Sequence, residues 1–368
     1  MKKFFLTLHL FVGLCSAVVL VVLSISGTII AFEPELNRLM HPELTNVKVT
    51  GAAMNWDQVK RQVEEQAPAW KLIRFYFPDR PDLSTYVRIR SVETHRIRQI
   101  YVDQYTGKIL GSTEDGPNLL IKIHDLHVNF LTGDIKGRPG SRLVMAGTWS
   151  LLVLSVTGLV LWFPRRVFSF RWSSPWPRLN RDMHKTLGFW SSAAMFAFAV
   201  TGIGLHYQTG KLLTLLNRPD KAVSMHGHGT SIEAMMETAR EALPNAEIPR
   251  LLLPEKSGDP VFMYMRYPED KTPAGRSFVT LDPKTGNLLS VGSSRTAPLV
   301  QSALVQYTRE IHTGTVLGWL GRIVVALLAL GLSVLAVTGP MIWIERQRAK
   351  LRGRRALAAK TATLVSDG

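Results

Sequence analysis

The sequence has one cysteine, Cys15, in 368 residues. An intrachain disulfide, an iron–sulfur cluster held by several thiolates and the Cys-x-x-Cys-His attachment of c-type haem are therefore excluded. Any metal or haem must be held by other side chains. Hydrolase and NTPase readings also lack residues, because no His-Glu-x-x-His, phosphate loop or nucleophile triad is found. Acidic residues are scarce, 28 against 44 Lys and Arg, which leaves a formal charge of +16. Charge of either sign is nearly missing from four blocks: Phe4–Phe32, Leu143–Phe163, Thr186–Tyr207 and Thr315–Ile344. Apart from Cys15 and Tyr207, their only ionisable side chains are His9, His206 and Arg322. Each block is long enough to cross a bilayer core, which takes about 20 helical residues.

A signal peptide is the competing reading of the first block, since Lys2 and Lys3 precede it and Ser24-Ile25-Ser26-Gly27 offers small residues for cleavage. Its apolar run is nearly twice the usual length for such a segment, which favours a retained helix. Orientation follows from the basic residues. The N-terminus, residues 164–185 and the tail from Glu345 together hold 15 basic and 3 acidic side chains. By the positive-inside rule these three segments are cytoplasmic, and the high charge reads as a juxtamembrane anchor against lipid headgroups, not a nucleic-acid surface.

The expected plan is a four-helix membrane bundle carrying two small extracytoplasmic α+β modules. Membrane helices are expected at 1–32, 142–163, 186–207 and 315–344. The modules take 33–141 and 208–314, and a cytoplasmic loop (164–185) and basic tail (345–368) complete the chain. In the modules, Asn55-Trp-Asp-Gln58 and Thr230-Ser-Ile-Glu233 have the spacing of an N-cap with its reciprocal amide or carboxylate. They open amphipathic helices over Trp56–Ala67 and Ser231–Leu243. Strands are expected at Lys71–Phe77, Thr85–Arg90 and Gln99–Val102 in the first module, and at Arg250–Leu253, Val261–Tyr267 and Ser277–Leu281 in the second. Each module then has the same turn, Asp103-Gln-Tyr-Thr106-Gly107 and Asp282-Pro-Lys-Thr285-Gly286.

The helices repeat too. His9 is followed by Gly13 and Ser26-Gly27, and His184 by Gly188 and Thr201-Gly202, at identical offsets. Leu126-His127 precedes Gly133 as Ile311-His312 precedes Gly318. The two second helices end in Val156-Thr157-Gly158 with Trp162, and in Val337-Thr338-Gly339 with Trp343. The chain is a tandem duplication of helix, module and helix, expected to pack about a pseudo-two-fold axis along the membrane normal.

Two Asp-x-x-Thr-Gly turns framed by duplicated histidine helices resemble the PepSY-associated transmembrane family, within which inner-membrane ferric-siderophore reductases are known. The resemblance covers His9 to Trp343. It implies a b-type dihaem protein of the bacterial inner membrane that passes electrons to ferric siderophores or other Fe(III) chelates. It also gives the competing class, a non-catalytic membrane-tethered binding protein, because such modules elsewhere resemble protease-inhibitory or sensory domains.

The residues argue for haem independently. A b-type haem needs two axial nitrogens on opposite faces, and a two-fold axis supplies them from equivalent positions. His9 and His184 lie near the cytoplasmic starts of two parallel helices, and His127 and His312 near the outer face. Four matched histidines make two bis-histidine sites, so two non-covalent haems b are expected. His124, three residues before His127, is an alternative outer ligand, and His206 is a candidate for the outer haem or the substrate. Arg142 and Arg322, at nearly equivalent places, are candidates for haem propionates, with snorkelling as the competing view. Gly13, Gly27, Gly158, Gly188, Gly202 and Gly339 are read either as room for a porphyrin or as ordinary helix packing. Met225-His226-Gly-His228 is a weaker metal candidate, and His41 and His95 read as surface residues. Quinol or a cytoplasmic flavoprotein is the expected electron donor.

Overall fold

The computed structural model describes residues 1–114, 118–132, 139–163, 173–207, 225–296 and 307–366. The chain divides into two compact units. One holds Met1–Ala31, Lys122–His206 and Arg322–Gly368, and the other Phe32–Ile121 and Tyr207–Gly321. The helices are α1 (Lys2–Ile30), α2 (Glu33–Met40), α3 (Pro42–Thr45), α4 (Trp56–Gln66), α5 (Leu119–Asn129), α6 (Pro139–Trp162), α7 (Trp176–Tyr207), α8 (Ile232–Ala242), α9 (Thr308–Thr313) and α10 (Gly318–Ser366). The strands are β1 (Trp70–Tyr76), β2 (Thr85–Ser91), β3 (Ile97–Val102), β4 (Ile109–Gly111), β5 (Glu247–Leu252), β6 (Val261–Arg266), β7 (Ser277–Leu281) and β8 (Leu288–Gly292).

In the helical unit, α1, α6, α7 and α10 each contain a stretch long and apolar enough to cross a membrane. Large apolar side chains such as Phe11, Val18, Trp190 and Leu327 stand exposed along them, as expected of helices surrounded by hydrocarbon. With lipid outside, association depends on close packing and hydrogen bonds. Gly147 on α6 supplies the first: a Cβ there would lie 2.7 Å from Val19 Cγ1 on α1. Ser24 and Ser333 supply the second, their hydroxyls 2.6 Å apart. The small core of Leu20, Leu151, Met195, Ala199, Leu332 and Ala336 draws on all four helices.

Two boundaries differ from expectation. The segment assigned to a cytoplasmic loop, 164–185, is helical from Trp176, and its residues 164–172 lie outside the described residues. The tail from 345 is not a separate segment but continues α10 to Ser366. Neither Trp176–Lys185 nor the tail is apolar, so hydropathy ends where the helices do not. Gly133 of the repeat also falls outside the described residues.

In the sheet unit, the strands form one antiparallel sheet in the order β4-β3-β2-β1-β5-β6-β7-β8. The two segments expected to make separate modules are thus joined by the β1–β5 pair, with Arg74, Phe75 and Tyr76 opposite Leu252, Leu251 and Arg250. One hydrophobic core serves both halves, with Val59, Phe75 and Val87 from the first and Met235, Leu251 and Met263 from the second. The Asp-opened turns form as read. Gly107 (φ +70) and Gly286 (φ +73) take the left-handed conformation, and the Asp103 and Asp282 side chains accept from the Tyr105 and Lys284 N–H groups at 2.9 and 2.8 Å. The strands after them, β4 and β8, were not expected; they are short and extend the sheet at each edge.

The N-cap of α4 forms as read, Asn55 accepting from the Asp57 N–H at 2.9 Å and donating to Gln58 Oε1 at 3.3 Å. That of α8 does not: the cap is Ser231, one residue later, accepting from the Ala234 N–H. Glu233 turns instead to α4, where it accepts from the Trp56 N–H at 2.9 Å, and Asp57 accepts from the Ile232 N–H at 2.9 Å. Each helix start is held by an acidic side chain of the other, at equivalent positions of the repeat.

Candidate functional site

His9 on α1 and His184 on α7 come together with ring centroids 6.4 Å apart and planes at 87°. Each ring is anchored in the same way. His9 Nδ1 lies 2.8 Å from Thr157 Oγ1, and His184 Nδ1 lies 2.8 Å from Thr338 Oγ1. A hydroxyl has one proton to donate, and here each is directed at the carbonyl one turn back, Val153 and Val334 at 2.7 Å. Toward the histidine each threonine therefore accepts. The proton of each ring then sits on Nδ1, and the Nε2 lone pair is left for a ligand.

The residue after each threonine is the glycine that admits the ring. A Cβ on Gly158 would meet His9 Cε1 at 3.3 Å, and one on Gly339 would meet His184 Cε1 at 3.4 Å. The duplicated Val-Thr-Gly is thus a seat for histidine, its hydroxyl fixing the ring and its glycine making the space. That role was not read from the sequence, although the repeated motif was the signal.

The pair opens into a cavity of about 910 Å³ within the helical unit. Repeat mates line it from both sides: Gly13 with Gly188, Leu154 with Leu335, Trp162 with Trp343. Lys2, Arg181, Lys185 and Arg346 also line it, with Asp182 the one carboxylate. These cations entered the sequence reading only as topology signals.

The residues fit a haem. The two rings, with centroids 6.4 Å apart and each Nδ1 engaged by a threonine, would hold one metal ion through their Nε2 atoms. Among the described residues no group of three or more His, Cys, Asp or Glu is available to a metal. The protein therefore offers two nitrogens, the number that an iron porphyrin lacks. The volume lies near the upper end for small-molecule sites, and the lining cations suit two propionates.

A second seat of the same kind lies further along α1. His127 on α5 has Nδ1 2.9 Å from the Leu23 carbonyl and 3.1 Å from Ser26 Oγ. A carbonyl only accepts, so this ring too carries its proton on Nδ1. A Cβ on Gly27 would meet His127 Cε1 at 3.0 Å. Ser26-Gly27 thus does for His127 what Thr157-Gly158 does for His9. Along α1, His9 and Gly27 are about 27 Å apart at 1.5 Å per residue.

The other sequence candidates fall as follows. His312 is on α9, in the sheet-bearing unit, whereas His127 belongs to the helical unit. His124 is on α5 one turn before His127, and His206 is in the last turn of α7. Arg142 is exposed. Arg322, by contrast, is buried and donates from Nε and Nη2 to the Ala31 carbonyl at 2.8 and 2.5 Å, tying α10 to the end of α1. His226 and His228 are exposed, and His228 Nε2 faces Glu241 at 2.8 Å. His95 is exposed as read; His41 is partly buried between α2 and α3.

A family model described as the PepSY-associated TM region matches residues 6–346. No curated protein matches the sequence.

Proposed function

Because the chain belongs to the PepSY-associated transmembrane family, a family of multi-pass membrane proteins, we propose that it is a b-type dihaem reductase. It acts in the bacterial inner membrane, with both termini cytoplasmic, and carries electrons outward to a ferric siderophore or other Fe(III) chelate. The observation that carries this reading is the His9–His184 pair, 6.4 Å apart and held through Nδ1 in the wall of a large cavity. The outer assignment rests on the repeat, which matches His127 with His312, and on the Ser26-Gly27 seat of His127.

Haem bound at these positions supplies reversible one-electron chemistry. The chain's own residues hold and tune it. Thr157 and Thr338 keep the two Nε2 atoms unprotonated and raise their basicity. Lys2, Arg181, Lys185 and Arg346, at the end of the cavity where three of the four are exposed, would pair with the propionates of such a group, and the leucines of the wall exclude water. Reduction of the substrate's Fe(III) releases the metal, because hard oxygen ligands favour the oxidised ion. Electrons enter at the cytoplasmic side from quinol or a flavoprotein.

The test is a haem count with a redox titration of the purified protein. Two non-covalent haems per chain, all extractable with acid-acetone, are expected. Ferric chelates added to the reduced form should reoxidise it and release iron to a coloured Fe(II) chelator. His184→Ala should remove the inner haem, while an external reductant still reduces the outer one. His312→Ala should abolish chelate reduction and leave the inner haem reducible, and His127→Ala should resemble it. Removal of the outer haem by His124→Ala or His206→Ala instead would redraw its ligand set. A colourless protein would return the chain to the class of membrane-anchored binding or regulatory proteins.

A further inference from the structure

One face of the sheet packs on α4 and α8 through Phe75, Val87, Leu251 and Met263. Because side chains alternate along a strand, the neighbours of these residues make up the other face. A single cross-strand row there runs Tyr101, Tyr86, Tyr76, Arg250, Tyr264 and Phe278 through directly paired positions. The rings touch in sequence: Tyr86 lies 6.1 Å from Tyr101 and stacks on Tyr76 at 4.2 Å. The Arg250 guanidinium lies between Tyr76 and Tyr264, at 4.6 and 5.0 Å from their centroids. This is the row's centre, where the two halves of the duplication meet.

Charge on this face is unbalanced at one place. Five arginines lie on it, and two have carboxylates: Arg90 pairs with Glu255, and Arg266 with Asp79 and Glu247. Arg74, Arg88 and Arg250 have no carboxylate partner among the described residues. Arg74 and Arg88 stand directly opposite on β1 and β2, an arrangement that like charges disfavour. All three converge on one ring. Arg74 Nη1 lies 3.3 Å from Tyr76 Oη, Arg88 is 5.6 Å from the ring centroid and Arg250 is 4.6 Å from it. The Nε atoms of Arg74 and Arg250 are buried without a hydrogen-bond partner.

We propose that Arg74, Arg88 and Arg250, with the aromatic rings beside them, form a binding site for an anionic ferric chelate with aromatic ligand arms, the tris-catecholate class. The inference rests on the reductase reading for its choice of ligand and narrows the substrate class. Three guanidiniums match the triple negative charge of a ferric tris-catecholate, and the guanidinium faces with the half-buried rings of Tyr86 and Tyr264 match its flat arms, Tyr76 being buried beneath them. A ferric tris-hydroxamate is neutral and lacks aromatic arms, so it gains neither term.

Binding is measured on the full-length, oxidised protein in detergent, with no reductant present, so that it is read independently of electron transfer. The probes are ferric complexes of a synthetic hexadentate tris-catecholate and a synthetic hexadentate tris-hydroxamate. Tighter binding of the tris-catecholate is expected. Arg250→Ala should weaken it about ten-fold, Arg74→Gln with Arg88→Gln by at least as much, and Arg250→Lys by less, because charge is kept and stacking lost. Haem spectra should be unchanged and a cooperative thermal unfolding transition retained in all three.

Equal affinity for both chelates, or an affinity indifferent to the three arginines, would overturn the proposal while leaving the reductase reading intact. So would displacement of the tris-catecholate by phosphatidylglycerol vesicles at low lipid concentration, which would make the face a headgroup site. A protein that discriminates as expected but holds no haem would sink the reductase reading alone.

Discussion

The Thr157 hydroxyl lies 2.8 Å from His9 Nδ1 while donating its own proton to the Val153 carbonyl, so the threonine sets which ring nitrogen is free. Thr338 does the same for His184. Replacing either with valine keeps the shape and removes the acceptor. Haem affinity at the inner site should fall about 10–100-fold, and serine should restore most of it. Transfer of haem to an excess of a haem-scavenging apoprotein measures this, and equal transfer rates for Thr157→Val and the parent would contradict the tautomer argument.

Gly158 and Gly339 should tolerate alanine and reject valine. A methyl group 3.3 or 3.4 Å from the histidine Cε1 requires the ring to give by a few tenths of an ångström, whereas a branched side chain fills its place. Gly158→Val should leave a protein lacking only the inner haem, as judged by its visible spectrum. Gly27→Ala, where the contact is 3.0 Å, should perturb the His127 position more than Gly158→Ala perturbs that of His9.

Arg322 should prove structural. Arg322→Leu leaves the Ala31 carbonyl without its donors, a loss of about 1–3 kcal/mol, and should lower the detergent-phase unfolding temperature without changing haem content. If the variant instead loses haem at its parent unfolding temperature, the propionate role expected from sequence is restored.

The crossed caps of the sheet unit are open to hydrogen exchange. Asp57→Ala removes the acceptor for the Ile232 and Glu233 N–H groups. At roughly 1 kcal/mol for a lost cap, exchange at the start of α8 should accelerate about five-fold, although the substitution lies on α4. Glu233→Ala should do the same at Trp56. Acceleration confined to the mutated helix would show that the crossing bonds contribute nothing.

Topology has a direct check. A reporter fused to the C-terminus should be active only in the cytoplasm and one inserted at Gly275 only outside. Mass spectrometry should find the N-terminus uncleaved, because removal of the first helix would take His9 with it.

Much of this was legible because the chain states it twice. The four apolar helices, the strands and the histidines follow from hydropathy, alternation and repeat offsets. What stayed hidden depends on contacts between distant segments. The β1–β5 pair leaves no local mark, so two modules were expected where one sheet forms. Glu233 has the spacing of a reciprocal cap yet bonds to Trp56, because a helix start from the other half lies closer. Arg322 looked like the mate of Arg142, and only the position of Ala31 reveals its different role. Val-Thr-Gly was visible as a repeat, but its meaning needs the ring it holds.

The β1–β5 junction also bears on how the chain is made. Until β5 leaves the ribosome, roughly 170 residues after β1, the first half-sheet has β1 as an open edge, and unpaired edges invite wrong partners. At about 5–20 residues per second the wait is roughly ten to thirty seconds, during which two membrane helices must also be inserted. Synthesis arrested shortly after α7 should therefore leave a nascent chain that is protease-sensitive in residues 70–111, and protection should arise only once residues 247–252 have emerged.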